Sequence, residues 1–241
     1  MPFTPAHPLL VLPLRRTRLP LSALLAGSTV PDLPVFAQAF GAYGWTHSVV
    51  GVLLVDPVLT VVVLAVWFAW VRDPLVDLLP DFLRSRLPAS ARLDRAEWAW
   101  VLPAGAVGAL THVLWDELTH PGRWGTEHVA VLAERHGPLI GATWLQYASG
   151  LLGTLAVLGF LATWFARQDV VGGRRPARRL PRSTWFGIVL VPVVVGAALL
   201  VTRLPDGLHA MAFDTVVGAI VAGAVTVGCL VGLWHGARAR S

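Results

Sequence analysis

Residues 98–120 read WAWVLPAGAVGALTHVLWDELTH, and their reading sets both the fold class and the place where chemistry is sought. From Trp98 to Trp115 the only ionisable side chain is His112. A helix rises 1.5 Å per residue, so about 20 apolar residues cross a hydrocarbon core roughly 30 Å thick. A membrane span over Trp98 to about Leu118 follows. Ending such a helix needs only a turn residue or an arginine. This one closes on His112, Asp116, Glu117 and His120. Two imidazoles and two carboxylates are more than a stop signal requires.

The rest of the chain agrees with a membrane setting. Of 241 residues, 55% are hydrophobic and only 14% charged, which is too apolar for an ordinary soluble domain. The 11 tryptophans suit the membrane–water interface, where an apolar ring with one N–H is at home. A sequence pI near 10.9 raises nucleic acid as a partner. The arginines cluster at the ends of apolar runs, where positive charge orients helices, so no nucleic-acid partner is expected. Cys229 is the single cysteine, which excludes an intrachain disulfide and a cysteine-rich metal site. Arg15, Arg16 and Arg18 interrupt the first apolar run, so a cleavable signal peptide is not expected.

Spans are expected at Ser48 to Val71, Trp98 to about Leu118, Pro138 to Ala166, Ser183 to Thr202 and Thr215 to Trp234. The first forty residues are broken by Pro13, Pro20, Pro31 and Pro34, and form either one broken span or a re-entrant hairpin. The fold class is therefore an all-α polytopic membrane helical bundle of five to six transmembrane helices. It is expected to be a single integral membrane domain over 1–241, motif-bearing over 1–150, with C-terminal spans and a basic linker (167–183) over 151–241. Counted by alternate loops for six spans, the arginines divide 16 against 3. That bias places the 41–47, 119–137 and 203–212 loops outside and both termini in the cytoplasm. Pro74 to Leu87 reads as an amphipathic segment along the inner face. Gly172 to Arg182 reads as a cytoplasmic linker attracted to anionic lipid.

An ionisable group at membrane depth costs roughly 2.5–3.5 kcal/mol even on the lenient insertion scale, so each is a candidate for function. Asp32, His47, His112 and Asp116 all fall toward the outer side of this topology, and Asp56 lies inside the second span. His112 and Asp116 are four apart and share a helix face, the spacing by which a helix offers two ligands to one ion. His120, a further turn along, is rotated away from that pair. Each group also has a purely structural reading. A His–Asp pair can cap a helix, Asp32 can be an N-cap, and Asp56 before Pro57 can satisfy a freed amide. His128, His136, His209 and His235 are expected to be solvated.

Five motifs occur in order: MPFTPAHP, SALLAGSTVPDLP, THSVVGVLLVDP, RDPLVDLLP and THVLWDELTHPG. With these the chain resembles the bacterial membrane family known as domain of unknown function 4184, over the first residue to about Gly150. The same motifs are more distantly similar to those of bacterial membrane-bound metal-dependent hydrolases. That resemblance implies His7, Asp32, His47, His112 and Asp116 as metal ligands or their immediate support. It departs at Pro34, where the larger family has a second aspartate, and at Ala42 and Tyr43, where it has histidine and arginine. Those losses reduce the expected cofactor to one divalent metal, with zinc as the fitting ion. His7 can join the others only if residues 1–40 re-enter.

The function expected is a metal-dependent hydrolase of the bacterial inner membrane, acting on a lipid or lipid-linked ester at the interface. Glu117 or Asp56 is the carboxylate available as general base. Membrane lipid is the expected partner, and no protein partner is inferable. The alternatives are a small transporter using Asp32, Asp56 and Asp116 as a cation path, and a structural protein locked by His–Asp pairs.

Overall fold

The computed structural model describes residues 4–172 and 176–238. Residues 173–175 of the basic linker, the first three residues of the opening motif, and Arg240 lie outside them. The protein is an all-α polytopic membrane bundle. In chain order, its N-terminal helices are α1 (Pro8–Val11, extended by a 3-10 turn over Leu12–Arg16), α2 (Leu21–Gly27), α3 (Leu33–Phe36) and α4 (Tyr43–Thr46). There follow α5 (Gly51–Leu78), α6 (Asp81–Arg84), α7 (Arg95–Ala99), α8 (Val101–Thr119), α9 (Trp124–His128) and α10 (Ala130–Ala133). A two-residue hairpin, β1 (Arg135–His136) with β2 (Leu139–Ile140), leads into α11 (Gly141–Ala166), α12 (Trp185–Thr202) and α13 (Leu208–Arg238).

The exposed faces of α5, α8, α11, α12 and α13 carry leucine, valine and tryptophan, as lipid-facing helices must. Contacts group into two compact units, residues 4–64 with 94–162, and residues 65–93 with 163–172 and 176–238.

In the first unit the N-terminal segment folds back on itself as a hairpin. The apolar stretch Leu21–Phe36 is too short to cross at 1.5 Å per residue. His7 and Asp32, on its two arms, approach the same carboxylate or imidazole partners on α8. The tip carries Arg15, whose guanidinium lies 5.9 Å from the Phe160 ring near the C-terminal end of α11. The conflict over His7 is thereby resolved, because the arm starts at the centre while its arginines reach the opposite end. The hairpin packs on α8 through glycines. A Cβ at Gly27 would stand 2.5 Å from the Gly105 carbonyl oxygen, and one at Gly108 would stand 2.5 Å from that of Leu24. Small residues let the two backbones touch where lipid supplies no hydrophobic drive. The short α7 that precedes α8 starts on a capping box, Asp94 and Glu97 each accepting the other's backbone N–H at 2.8 Å.

Prolines inside α5 leave their mark on its geometry. Pro57 and Pro74 each follow a five-residue π-helical stretch, Gly51–Val55 and Trp67–Val71. A proline cannot donate to the carbonyl four residues back and clashes with it, and a π turn absorbs the displaced group. For Pro74 that carbonyl is Trp70, which accepts from His235 Nε2 at 3.0 Å instead. His235, which is half-buried, is thereby a hydrogen-bonded partner of α5. The amphipathic segment is also shorter than expected. Pro74–Leu78 completes α5, the break falls at Leu79–Pro80, and only α6 follows as a separate turn.

In the second unit α12 and α13 form an antiparallel pair with Gly196 facing Ala219 and Gly223 facing Pro192. Arg178, Arg179 and Arg182 of the basic linker are engaged with α5, α6 and α13. Arg178 donates to the Asp77 and Leu79 carbonyls at the end of α5 and to Asp81 Oδ1, and Arg182 pairs with Asp81 at 2.8 Å. The Arg178 hydrogen bond holds the Asp81 carboxyl below the usual carboxylate range. Arg179 lies 3.7 Å over Trp234, whose indole N–H donates to Asp77.

Candidate metal centre

Four short elements meet at one point beside α8. That helix presents His112 and Asp116 from one face. The C-terminal end of α2 offers the Ser28 carbonyl, which accepts from His112 Nδ1 at 2.8 Å. A 3-10 turn, Val30–Asp32, then brings Asp32 inward. Helix α4 is tied to this turn by Thr46 Oγ1, which donates to the Pro31 carbonyl at 2.8 Å. His47 follows directly, its Nδ1 held by the Tyr43 carbonyl at 3.0 Å. Thr4 donates to Asp32 Oδ2, and Tyr43 OH lies 3.4 Å from Asp116 Oδ2.

One ligand atom from each of Asp32, His47, His112 and Asp116 lies within 4.8 Å of all the others, and all four residues are buried. His47 Nε2 is 3.3 Å from Asp116 Oδ2 and 3.9 Å from Asp32 Oδ1. His112 Nε2 is 3.5 Å from Asp116 Oδ2 and 3.6 Å from Asp32 Oδ1. Charge-assisted hydrogen bonds are shorter, at about 2.7–2.9 Å. Bonds of about 2.0–2.2 Å to a tetrahedral ion instead give ligand–ligand edges of about 3.3–3.6 Å. The four nitrogen–oxygen separations fall in or just above that range, within a set that spans 4.8 Å.

The tautomers point the same way. A carbonyl only accepts, so Nδ1 of both His47 and His112 carries a proton, and each Nε2 is the ring atom turned toward the carboxylates. Among the described residues, neither Nε2 has a hydrogen-bond partner, nor has Asp116 Oδ1. Lone pairs and carboxylates converging in a dry site repel one another unless a cation lies between them. The donor set, nitrogen and oxygen only, fits a divalent ion of the zinc type.

The other candidates are placed as follows. His7 lies against this group, its ring stacked on His112 at 3.7 Å and its Nε2 3.6 Å from Asp116 Oδ1. His120, set aside on the helical wheel, also reaches it, with Nδ1 3.4 Å from Asp116 Oδ1. Asp56 is fully buried with neither oxygen hydrogen-bonded, so it does not cap the freed amide before Pro57. It is electrostatically coupled to His47 and His112. Glu117 points elsewhere, accepting from the Trp124 backbone N–H at 2.9 Å and facing Arg123 at 3.5 Å, where it caps α9. Tyr43 was visible in sequence only as a departure from a motif. Its ring stacks on His47 at 3.8 Å, and it supports the site from there.

Fold and site together define a multi-spanning membrane protein with a buried His/Asp centre that can hold a metal ion. The chain belongs to the family described as domain of unknown function (DUF4184), whose sequence profile matches residues 1–234. The match continues past Gly150, where the quoted motifs end, through the C-terminal spans. The chain is also similar to the competence protein ComA of Neisseria gonorrhoeae, 35% identical over 153 residues. That stretch is 61% of this chain but 19% of the relative, so the chain spans about a fifth of that protein's length. No solved structure matches significantly.

Proposed function

We propose that the protein is a metal-dependent hydrolase of the bacterial inner membrane, acting on a lipid or lipid-linked ester near the interface. The observation that carries this reading is the pair of unpartnered, buried Nε2 atoms of His47 and His112, both at coordination spacing from Asp116 Oδ2. Asp32, His47, His112 and Asp116 would hold the ion, with zinc the fitting choice. When bound, such an ion lowers the pKa of water toward about 7 and polarises the scissile bond.

The chain's own groups then have defined tasks. The Ser28 and Tyr43 carbonyls keep His112 and His47 with Nε2 turned inward. The Tyr43 hydroxyl faces Asp116 and fixes its carboxylate. Asp56, lacking a donor of its own, is the carboxylate able to accept a proton from water in a dry site. Glu117, engaged with α9, is not given that task. The positive-inside bias orients the arginine-rich loops toward the cytoplasm and the centre toward the outer interface. A span carrying the buried, unpartnered Asp56 also supports the second reading, cation or proton transport.

The test is hydrolysis of a fluorogenic lipid ester by detergent-purified protein, before and after chelation and zinc return. Turnover lost on chelation and restored by zinc supports the reading. Tight zinc without turnover on any ester, together with proton-coupled flux in vesicles, would replace it with transport.

A further inference from the structure

Asp116 presents its two oxygens to two different pairs of imidazoles. Oδ2 faces His47 Nε2 at 3.3 Å and His112 Nε2 at 3.5 Å. Oδ1 faces His7 Nε2 at 3.6 Å and His120 Nδ1 at 3.4 Å. We infer that Asp116 bridges two cations, the second held by His7, His120 and Asp116 Oδ1. This rests on the metal-centre reading above and extends it from one ion to a pair.

Three observations carry it. First, Oδ1 has no hydrogen-bond partner among the described residues although Asp116 is only 2% exposed, so its second oxygen is as unsatisfied as the first set of ligands. Second, the His7 and His112 rings stack with centroids 3.7 Å apart and planes inclined by 17°, each turning Nε2 toward a different oxygen of one carboxylate. Ions held in the planes of two stacked rings sit about one stacking distance apart, and paired catalytic metals are about 3.5–4 Å apart. Third, the two positions differ in access. The first has four protein ligands, whereas the second has three and so leaves one more coordination position for water. The side chain of His120 is also 21% exposed while that of His112 is 0%. The second position is therefore the more accessible of the two.

Gln146 on α11 completes the arrangement. Its side-chain amide lies 2.8 Å from His120 Nε2. The amide nitrogen is the atom placed against the ring; with the amide turned over, its oxygen would accept from Nε2–H and leave Nδ1, which also lies 3.3 Å from Thr119 Oγ1, facing Asp116. A sequence search for ligands passes over His120 because it is rotated about 80° from His112 on the helix. It is brought back by chain geometry, since α8 ends at Thr119 and His120 has extended backbone.

The test is metal stoichiometry on intact detergent-purified protein loaded with Zn2+ and freed of excess by gel filtration. Wild type should retain about two equivalents, and His120→Ala and His7→Ala about one each. Manganese loading of wild type, which needs no variant, should give the electron-paramagnetic-resonance signature of an exchange-coupled pair. One equivalent in wild type with an isolated-ion manganese spectrum overturns the second site and leaves the four-ligand centre standing. Two equivalents retained in both histidine variants also overturn it. Retention of no metal would remove the centre itself, a result distinct from either.

Discussion

Replacing Gly108 by alanine should loosen the centre without touching a ligand. The added methyl carbon would lie 2.5 Å from the Leu24 carbonyl oxygen and 2.7 Å from the Ser28 amide nitrogen, both backbone atoms of the hairpin arm. An ordinary contact begins near 3.4 Å, so α2 and α8 must separate by about 0.9 Å. Overpacking of this kind costs about 1–3 kcal/mol. The same shift stretches the hydrogen bond from His112 Nδ1 to the Ser28 carbonyl, now 2.8 Å, and carries Asp32 with it. Ligand positions tolerate about ±0.2 Å, and loss of a supporting hydrogen bond lowers metal affinity by about 10–100-fold. Competition with a chromophoric chelator, alongside a thermal-denaturation midpoint, reads both effects. Gly228→Ala, where an added Cβ meets nothing within 4 Å, is the control and should change neither. A Gly108→Ala protein that binds zinc as tightly as wild type would refute the coupling of hairpin packing to the site.

Four further outcomes are expected. Asp116→Asn should insert and remain monodisperse yet lose zinc affinity by more than about 100-fold, since it removes a ligand and not merely its support; unchanged affinity by chelator competition would count against the assignment. Asp56→Asn should keep its zinc but lose turnover, while Glu117→Gln, whose parent carboxylate caps α9, should keep both; equal losses in a hydrolysis assay would exclude Asp56 as base. A cysteine at Ala177, in a Cys229→Ser background, should resist an impermeant thiol reagent in intact cells and react after lysis; labelling of intact cells would reverse the orientation. Zinc affinity should fall as pH is lowered, because protons compete with the ion for the imidazole nitrogens. A pH-independent affinity would contradict histidine ligation.

Much of this arrangement was readable from the chain. Hydropathy located the four helices among the described residues that are long and apolar enough to cross, α5, α11, α12 and α13, because length and apolarity decide that; α8, also expected to span, is not one of them. Helical spacing paired His112 with Asp116, and topology put Asp32 and His47 at the same end. Hydropathy could not tell a broken span from a hairpin, since it measures how apolar a segment is and not where it returns. The return depends on Gly27, Gly105 and Gly108 allowing backbone contact, which is a property of two segments and not of either alone. The wheel turned His120 away from His112, whereas the residue leaves helical geometry at its own position. Glu117 looked available because its partner, the Trp124 amide, is created only when α9 folds back. Asp73-Pro74 read as the start of a surface segment, whereas the preceding π turn and His235 let α5 run on to Leu78.

The most direct test of the centre is X-ray absorption at the zinc edge of purified, zinc-loaded protein. The expected spectrum has a nitrogen/oxygen shell at about 2.0–2.2 Å, outer-shell scattering from at least two imidazoles, and no sulfur shell near 2.3 Å. The imidazole scattering should weaken in a protein carrying both His47→Ala and His112→Ala. A spectrum of hydrated zinc without imidazole scattering, or zinc lost completely on dialysis, would contradict a His/Asp metal centre and leave the four side chains as a buried helix lock.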